Sequence, residues 1–471
     1  VVSFREAAAQ ALLDPQLRAN FRRAMDGLMA KRRAQFPDPR DLQAQRDLAT
    51  AIRARSLLNL PALLEQFEAN ATRNGIQVHW AETCEEANAL ILGLLQARGA
   101  RTLVKGKSMV SEEMHLNACL EGHGIEALET DLGEYIIQLD GETPSHIIMP
   151  AIHKNKDQIA RQFSQKIKDA PYTEDVDQLT AMARKVLRQK FLEADAGLSG
   201  VNFAVAETGT LCLVENEGNG RMSSHVPPLH IAVMGLEKVV ATLDEVAPLY
   251  SILTRSATGQ AVSTYLNLIS GPRGAEEKDG PREVHVVLLD NGRSRIYADP
   301  QLRATLRCIR CGACMNHCPV YTRVGGHAYQ AVYPGPIGKL LTPQIEGVGL
   351  RHDLLHASSL CGACAEVCPV AIPIPELLVR LRREATHHDP ASQVAGRGTG
   401  RTFTEGLAWR LWGTVTRRPW LYRMATWLVT RLGRHLPAKL PLLRNWTSQR
   451  SQPLPAKRSL SERMRGEGGA R

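Results

Sequence analysis

The chain has 471 residues, of which 44% are hydrophobic and 23% charged, enough for two or three domains with their own cores and unlike a disordered or fibrous sequence. Its net charge of +10 belongs to residues 391–471, where sixteen Lys or Arg face three Asp or Glu. Residues 1–390 therefore sum to about −3, which argues against a nucleic-acid platform in the body of the chain.

Residues 1–75 are predicted to be helical, with Leu58, Leu60, Leu63, Leu64 and Phe67 at near-helical spacing. From 76 to 291 short apolar runs alternate with helical patterns. Strands are predicted at 77–80, 101–104, 125–128, 146–149, 203–205, 210–214, 230–233 and 284–289, and helices at 84–96, 111–119, 154–166 and 176–194. That order predicts an α/β domain with a largely parallel sheet, whose ligands would bind beyond the C-terminal strand ends. Asp290-Asn291-Gly292 is a turn signal. Beyond it, residues 292–390 are rich in Gly, Pro and Cys but keep helix-sized pieces such as 374–383, and read as a separate helical module.

From 391 a linker leads into a basic extension carrying Trp409, Trp412, Trp420, Trp427 and Trp446. Pro419, Pro437 and Pro441 should divide it into short amphipathic helices. Such helices suit an acidic partner surface, anionic headgroups or the body of this same chain. The start of the chain is interrupted by Arg5, Glu6 and Asp14, with no apolar signal core, and no apolar run reaches the ~20 residues that span a bilayer. The expectation is a cytoplasmic protein, with peripheral contact at the inner face of the cytoplasmic membrane as a further option.

Seven of the ten cysteines lie between Cys308 and Cys368, which in a cytosolic chain favours metal binding over disulfides. Cys308, Cys311, Cys314 and Cys318-Pro319 form one motif, and Cys361, Cys364 and Cys368-Pro369 the other. Thiolates at two-residue intervals wrap one iron–sulfur cluster, while the cysteine before proline reaches the neighbouring one. Cluster one would take Cys308, Cys311, Cys314 and Cys368, and cluster two Cys318, Cys361 and Cys364. Three residues before Cys361 stands Ser358, so the last iron would be held by Ser358, His356 or water, or be absent. The expected cofactors are one [4Fe-4S] cluster and a second [4Fe-4S] or [3Fe-4S]. Zinc is the rival, but the Cys-Pro endings and seven thiolates suit it poorly. Gly312 and Gly362 allow close backbone approach. Arg307 and Arg310 would either offset cluster charge or, more plainly, be solvated. Cys84, Cys119 and Cys212 read as buried small hydrophobes.

Other polar groups stand out in the α/β region. Lys105-Gly106-Lys107-Ser108 fails as a nucleotide loop because Arg101 replaces the required glycine. Lys105, Lys107 and Ser108 remain candidates for holding a carboxylate or phosphate, with a structural role the plainer reading. Glu129, Asp131 and Glu134 would raise a pKa or bind a cation, or simply cap and solvate a turn. Glu207 follows a strand and is the leading single carboxylate, for binding or loop geometry ahead of catalysis. His225, His230, His285 and His327 share no ligand spacing; His327, between the cysteine motifs, is the candidate donor or proton acceptor beside a cluster.

Several stretches together resemble the lactate utilisation protein B family, also known as the L-lactate dehydrogenase iron–sulfur subunit. They are 307–319, Gly325-Gly326-His327-Ala328-Tyr329, Gly335-Pro336-Ile337-Gly338 and Ser358-Ser359-Leu360, with Lys105 to Met109, Glu129 to Glu134 and Ala206 to Thr210 in the α/β part. The resemblance implies a coenzyme-A-transferase-like or ribose-isomerase-like α/β domain followed by an α-helical ferredoxin-like domain, with serine usual at the position of Ser358. It further implies a non-catalytic electron-transfer subunit supporting oxidation of L-lactate to pyruvate. Its companions would be a cysteine-rich subunit and a smaller subunit with a similar α/β domain. No dinucleotide fingerprint occurs, so a flavin would belong to a partner or an atypical pocket. The alternatives are a redox-sensing or scaffold protein, or an electron-transfer subunit for another 2-hydroxy acid such as glycolate.

Overall fold

The computed structural model describes residues 2–387, 394–396, 398, 400, 403–433 and 454–467. Contacts divide the chain into two units, Val1–Thr399 and Gly400–Arg471.

Four helices open the first unit, and side-chain caps or prolines set their starts. Ser3 and Glu6 cap Phe4–Ala11 reciprocally. Asp14 and Asp38 accept N–H groups ahead of Pro15–Gln35 and Pro39–Leu58, each with proline in its first turn, and Leu60–Arg73 follows. Phe21, Met25, Ile52, Leu57 and Phe67 bury the inner faces of these helices.

Ten strands follow: β1 Ile76–Ala81, β2 Thr102–Lys105, β3 Glu126–Glu129, β4 Ala196–Gly200, β5 Phe203–Val205, β6 Thr210–Glu215, β7 Leu229–Gly235, β8 Val239–Val240, β9 Tyr265–Ile269 and β10 Glu283–Leu289. Six build a parallel sheet in the order β1-β10-β7-β4-β2-β3. Every residue of β7 and all but one of β10 are buried, as expected of a sheet covered on both faces. The other four form a mixed sheet, β8-β5-β6-β9.

The parallel α/β reading therefore holds, with local differences. Residues 146–149 are a loop rather than a strand: His146 turns inward, its Nδ1 accepts the N–H groups of Ile148 and Met149, and Nε2–H donates to Asn316 at 3.1 Å. The helix predicted at 111–119 is two, Met109–Glu113 and Leu116–Gly122, broken where His115 turns left-handed at φ 50°. Strands β4, β8 and β9 were not predicted from the sequence.

From Arg293 to Thr386 the chain forms short helices, the longest being Gly335–Glu346 and Ile374–Thr386. One apolar core runs through the opening helices, both sheets and this segment, joining Phe21, Phe67, Val286, Leu306, Tyr321 and Leu377.

In the second unit, Phe403–Arg417 and Pro419–Leu432 pair, and Leu460–Glu467 follows. Pro419 opens its helix as expected. Trp409, Trp412, Trp420 and Trp427 are exposed, while Trp446, Pro437 and Pro441 lie outside the described residues. No described helix is long and apolar enough to cross a membrane.

Candidate metal centre and the adjoining cleft

The two cysteine loops share one turn geometry. Arg310 and Leu360 take left-handed conformations at φ 60° and 55°, and Gly312 and Gly362 do so at 73° and 87°. Each loop then enters a one-turn helix, Ala313–Asn316 or Ala363–Glu366. In the first loop the Arg310 N–H donates to Cys308 Sγ at 3.4 Å. In the second the Leu360 N–H donates to Ser358 Oγ at 3.2 Å. The Ser358 hydroxyl thus stands in its loop where the Cys308 thiol stands in the other.

The thiols fall into two sets by the charges that act on them. Burial, then the neighbouring thiols Cys368 and Cys308, pushes Cys311 up; burial and Cys311, Cys308 and Cys368 do the same to Cys314. Burial and then Cys318 push Cys364 up to about 11, with Cys361 acting in the same direction. Cys361 is exposed, and the Ala363 N–H and then the Ser359 hydroxyl hold its thiol low. All four residues of the first short helix are buried and none of the second is; Cys311, Cys314, Cys318 and Cys368 are enclosed, Cys308 and Cys364 half-buried, and Cys361 exposed. Among the described residues no three His, Cys, Asp or Glu side chains form a group that could hold a single metal ion. N–H groups donate to Cys308 Sγ and, from Ile372 at 3.4 Å, to Cys368 Sγ, as suits cluster-bound sulfur. The donor set fits iron–sulfur clusters.

Lys339 joins the sets. Its side chain is buried, Nζ lies 3.7 Å from Cys318 Sγ and 5.5 Å above the Tyr329 ring, and it feels the charges of Cys318, Cys364 and Cys314. Lys339 continues the glycine-rich stretch Gly335 to Gly338, which was the available sequence signal. Arginines from the opening helices gave none. Arg46 donates to the carbonyls of Cys368 (3.0 Å) and Ala365 (3.2 Å), and Arg32 to that of Val367 (3.3 Å), satisfying groups that the end of a short helix leaves unpaired. Arg53 is fully buried and donates to the carbonyls of Val239 (3.1 Å), Leu306 (3.2 Å) and Glu237.

Arg310 is not solvated. Its guanidinium lies 4.5 Å from the Tyr333 ring centre and 3.3 Å from Glu237 Oε1. Glu237 also accepts from Arg293 Nε at 2.8 Å, and Arg293 reaches Glu113 at 2.8 Å. Arg307 is partly buried, and burial lowers its pKa against the opposing pull of Cys368. A buried ionic chain therefore runs from the parallel sheet to the first cysteine loop.

Beyond the C-terminal ends of β2, β4 and β7 opens a cleft of about 240 Å³. Gly106, Lys107, Ser108, Lys238 and Arg310 line it, so one wall belongs to the first cysteine loop. Lys107 Nζ donates to the Ile148 carbonyl at 2.8 Å and lies 3.9 Å from Asp131, while Ser108 caps the helix Met109–Glu113.

Three family descriptions match in succession: the LUD domain over residues 64–289, a 4Fe-4S dicluster domain over 304–372, and the C-terminal part of lactate utilisation protein B over 380–469. Lactate utilization protein B of Shouchella clausii (strain KSM-K16) is 44% identical over 88% of this chain and 86% of its own. The Bacillus subtilis (strain 168) protein of that name is 41% identical over 97% and 94%. The chain belongs to the lactate utilization protein B family. An uncharacterized electron transport protein of Escherichia coli (strain K12), YkgF, is 40% identical over 96% of this chain and 94% of its own. A crystal structure of a DUF162 family protein from Deinococcus radiodurans, 18% identical at a TM-score of 0.28 over 49% of this chain and 98% of its own, is too distant to inform the fold.

This member of the lactate utilization protein B family is thus an iron–sulfur protein, and several sequence candidates have structural roles in it. Lys105 is fully buried, with Nζ 2.5 Å from Glu129, 2.7 Å from Glu112 and 3.0 Å from the Ser111 hydroxyl. Of the three carboxylates read either as a perturbed or cation-binding group or as turn and cap residues, Asp131 is the cap, accepting the Glu134 N–H at 3.1 Å. Glu129 and Glu134 are buried, and burial followed by the Glu129 charge drives Glu134 well above the usual carboxylate range. Glu207 is exposed, accepts the Leu243 N–H at 3.1 Å and does not line the cleft. Its turn docks on the opening helices: Asn70 donates to the carbonyls of Ala206 (2.8 Å) and Glu207 (2.9 Å), and a side chain at Gly209 would overlap the Ala71 backbone.

The histidines are hydrogen-bonded. His230 meets Ser199 at 2.8 Å, with burial pushing it down to about 3; His285 meets His79 at 2.9 Å; His225 meets the Arg221 carbonyl at 3.0 Å. His327 Nε2–H donates to the Thr143 carbonyl at 2.7 Å and its ring packs edge-on to His153, rather than facing a thiol. Burial pushes Cys212 and Cys84 up to about 12, as suits inert small side chains, and Cys119 is partly buried.

Proposed function

We propose that this chain is the iron–sulfur electron-transfer subunit of a multi-subunit oxidoreductase supporting oxidation of L-lactate to pyruvate. The observation that carries the reading is the pair of adjoining thiol sets, the second reaching the surface at Cys361, with Lys339 between them. Bound iron–sulfur clusters supply single-electron transfer. Cys308, Cys311, Cys314 and Cys368 would hold one cluster, and Cys318, Cys361 and Cys364 the other, with Ser358 Oγ at the fourth position. The matching hydrogen bonds to Cys308 and Ser358 support that place for the serine ahead of His356 or water. Lys339 and the arginines behind the second loop offset negative charge, and the packed first loop excludes water. The exposed second loop offers the edge through which a partner exchanges electrons.

The finer domain reading goes with this proposal: opening helices to 75, a coenzyme-A-transferase-like or ribose-isomerase-like domain over 76–291, a helical ferredoxin-like domain over 292–390, and a basic extension from 391. The partners would be a cysteine-rich subunit and a smaller subunit with a similar α/β domain, with a flavin, if one takes part, on the partner side. The exposed tryptophans of the second unit support partner docking or peripheral contact at the inner membrane face. Anaerobic copurification with both companions, followed by electron paramagnetic resonance with and without L-lactate, tests the reading. Two interacting signals that grow with lactate are expected. Clusters that dithionite reduces but lactate with the full complex does not would refute the lactate role.

A further inference from the structure

The cleft beside the first cysteine loop contains a lysine that no carboxylate contacts directly among the described residues, although the charges of Glu237 and Cys308 act on it. Lys238 is only 6% exposed, lines the cleft, and makes no hydrogen bond or ion pair among the described residues. Glu237, next to it in sequence, is already engaged by Arg293 at 2.8 Å and Arg310 at 3.3 Å. Arg310 contributes a second unmet group: its Nη1 is buried with no hydrogen-bond partner. A buried cation without a direct partner is costly, and two cationic side chains lining one cavity suit an anion. The cavity also carries apolar side chains, Leu213 and Leu253 among them, and at about 240 Å³ lies below the ~300–1,000 Å³ of sites for drug-sized ligands. Asp131, Glu215 and Glu217, also in the lining, disfavour a multiply charged guest.

We infer that this cleft binds a small monoanionic organic carboxylate, its charge held by the Lys238 ammonium and the Arg310 guanidinium and its short carbon chain on the apolar side. The site lies beyond the ends of β2, β4 and β7, where parallel sheets place their ligands. Because Arg310 belongs to both the cleft wall and the first cysteine loop, the carboxylate sits next to the thiols. The binding claim rests on the cleft alone; only the closeness to a cluster rests on the electron-transfer reading.

The test is calorimetry on the full-length, anaerobically loaded protein with pyruvate, L-lactate, acetate and inorganic phosphate as separate probes. Saturable binding of pyruvate or L-lactate, weakened at least tenfold in Lys238→Met and largely retained in Lys238→Arg, is expected. Removing an unpaired buried charge should leave the melting temperature unchanged or higher. Unchanged affinity in Lys238→Met with an altered cluster spectrum would assign the lysine to the thiols and overturn the site. Phosphate binding without carboxylate binding, or no binding at millimolar concentration, would overturn it too. A second measurement needs no variant: the pyruvate methyl proton resonance should broaden with the dithionite-reduced, paramagnetic protein and much less with the oxidised form. Calorimetric binding without that broadening sustains the carboxylate site and refutes instead a cluster on Cys308, Cys311, Cys314 and Cys368.

Discussion

Replacing Glu237 with Gln removes the charge at the centre of the ionic chain that ties the sheet to the first cysteine loop. Burial alone would raise the Glu237 carboxyl, but Arg293 and then Arg310 override it and hold it at about 2, against an ordinary 4.5. At 1.36 kcal/mol per pH unit, that fall makes the ionised group worth about 3 kcal/mol to the folded state. The group is 1% exposed, so solvent screening does not reduce the figure much. A carboxyl with a lowered folded pKa stabilises fully above its unfolded value and loses that contribution as pH falls through the folded one. The window is therefore pH 4.5 down to about 2, with roughly half the contribution left near pH 3. Urea unfolding of wild type and Glu237→Gln, followed by far-ultraviolet circular dichroism at pH 7 and pH 3, should show a deficit of about 3 kcal/mol shrinking to about half. A deficit below about 1 kcal/mol at pH 7, or one equal at both pH values, would refute the assignment of this charge as a buried, arginine-held anchor.

Ser358→Cys should protect the second cluster against mild oxidation, read as slower appearance of a three-iron signal; identical oxidation kinetics would remove Ser358 from the fourth position. Reconstituted protein should hold roughly seven or eight irons with matching sulfide, and zinc without sulfide would sink the cluster assignment. Glu134→Gln should stabilise the protein increasingly as pH rises above 4.5, because the raised carboxyl penalises the fold once it must ionise, and should change little at pH 4. An equal effect at pH 4 and pH 8 would show that Glu134 is not held protonated. Ending the chain after Thr399 should leave both clusters intact but reduce recovery with the companion proteins or membranes by tenfold or more; full recovery would deny the second unit a docking role.

The cysteine motifs were legible in the sequence because cluster ligation depends on short spacing within one loop. The strands β1, β2, β3, β7 and β10 were legible through their apolar runs. Strand β4 was not: Ala196-Gly197-Leu198-Ser199-Gly200 has weak strand propensity, yet small residues are required there because a side chain at Gly197 would overlap the Ser223 carbonyl of the helix across the sheet. The run at 146–149 looked like a strand because its apolar residues were visible and the inward hydrogen bonds of His146 were not. Buried charges were the largest omission. Arg53 and Arg293 are not distinguished by any motif, and Lys339 only by following Gly335 to Gly338, until the fold brings distant carbonyls, carboxylates and thiols around them. The carboxylates at Glu129 and Glu134 were noticed, but their burial against Lys105 depends on β2 and β3 lying side by side.

The grip of the opening helices on the second cysteine loop fixes an order of events during synthesis. Arg32 holds the carbonyl of a residue 335 positions later, and Arg46 one 322 positions later. The first thiol set includes Cys368, so it too waits for the last cysteine although its other three members precede it by more than fifty residues. A nascent chain that has only just released Cys318 carries an incomplete first set and none of the second loop, with the arginines that will support that loop facing water. Long-range closure of this kind is slow compared with local helix formation. On the proposed ligation, metal loading would follow translation of the whole first unit, and a chain stopped before Cys368 would leave thiols for the cell to shield or degrade.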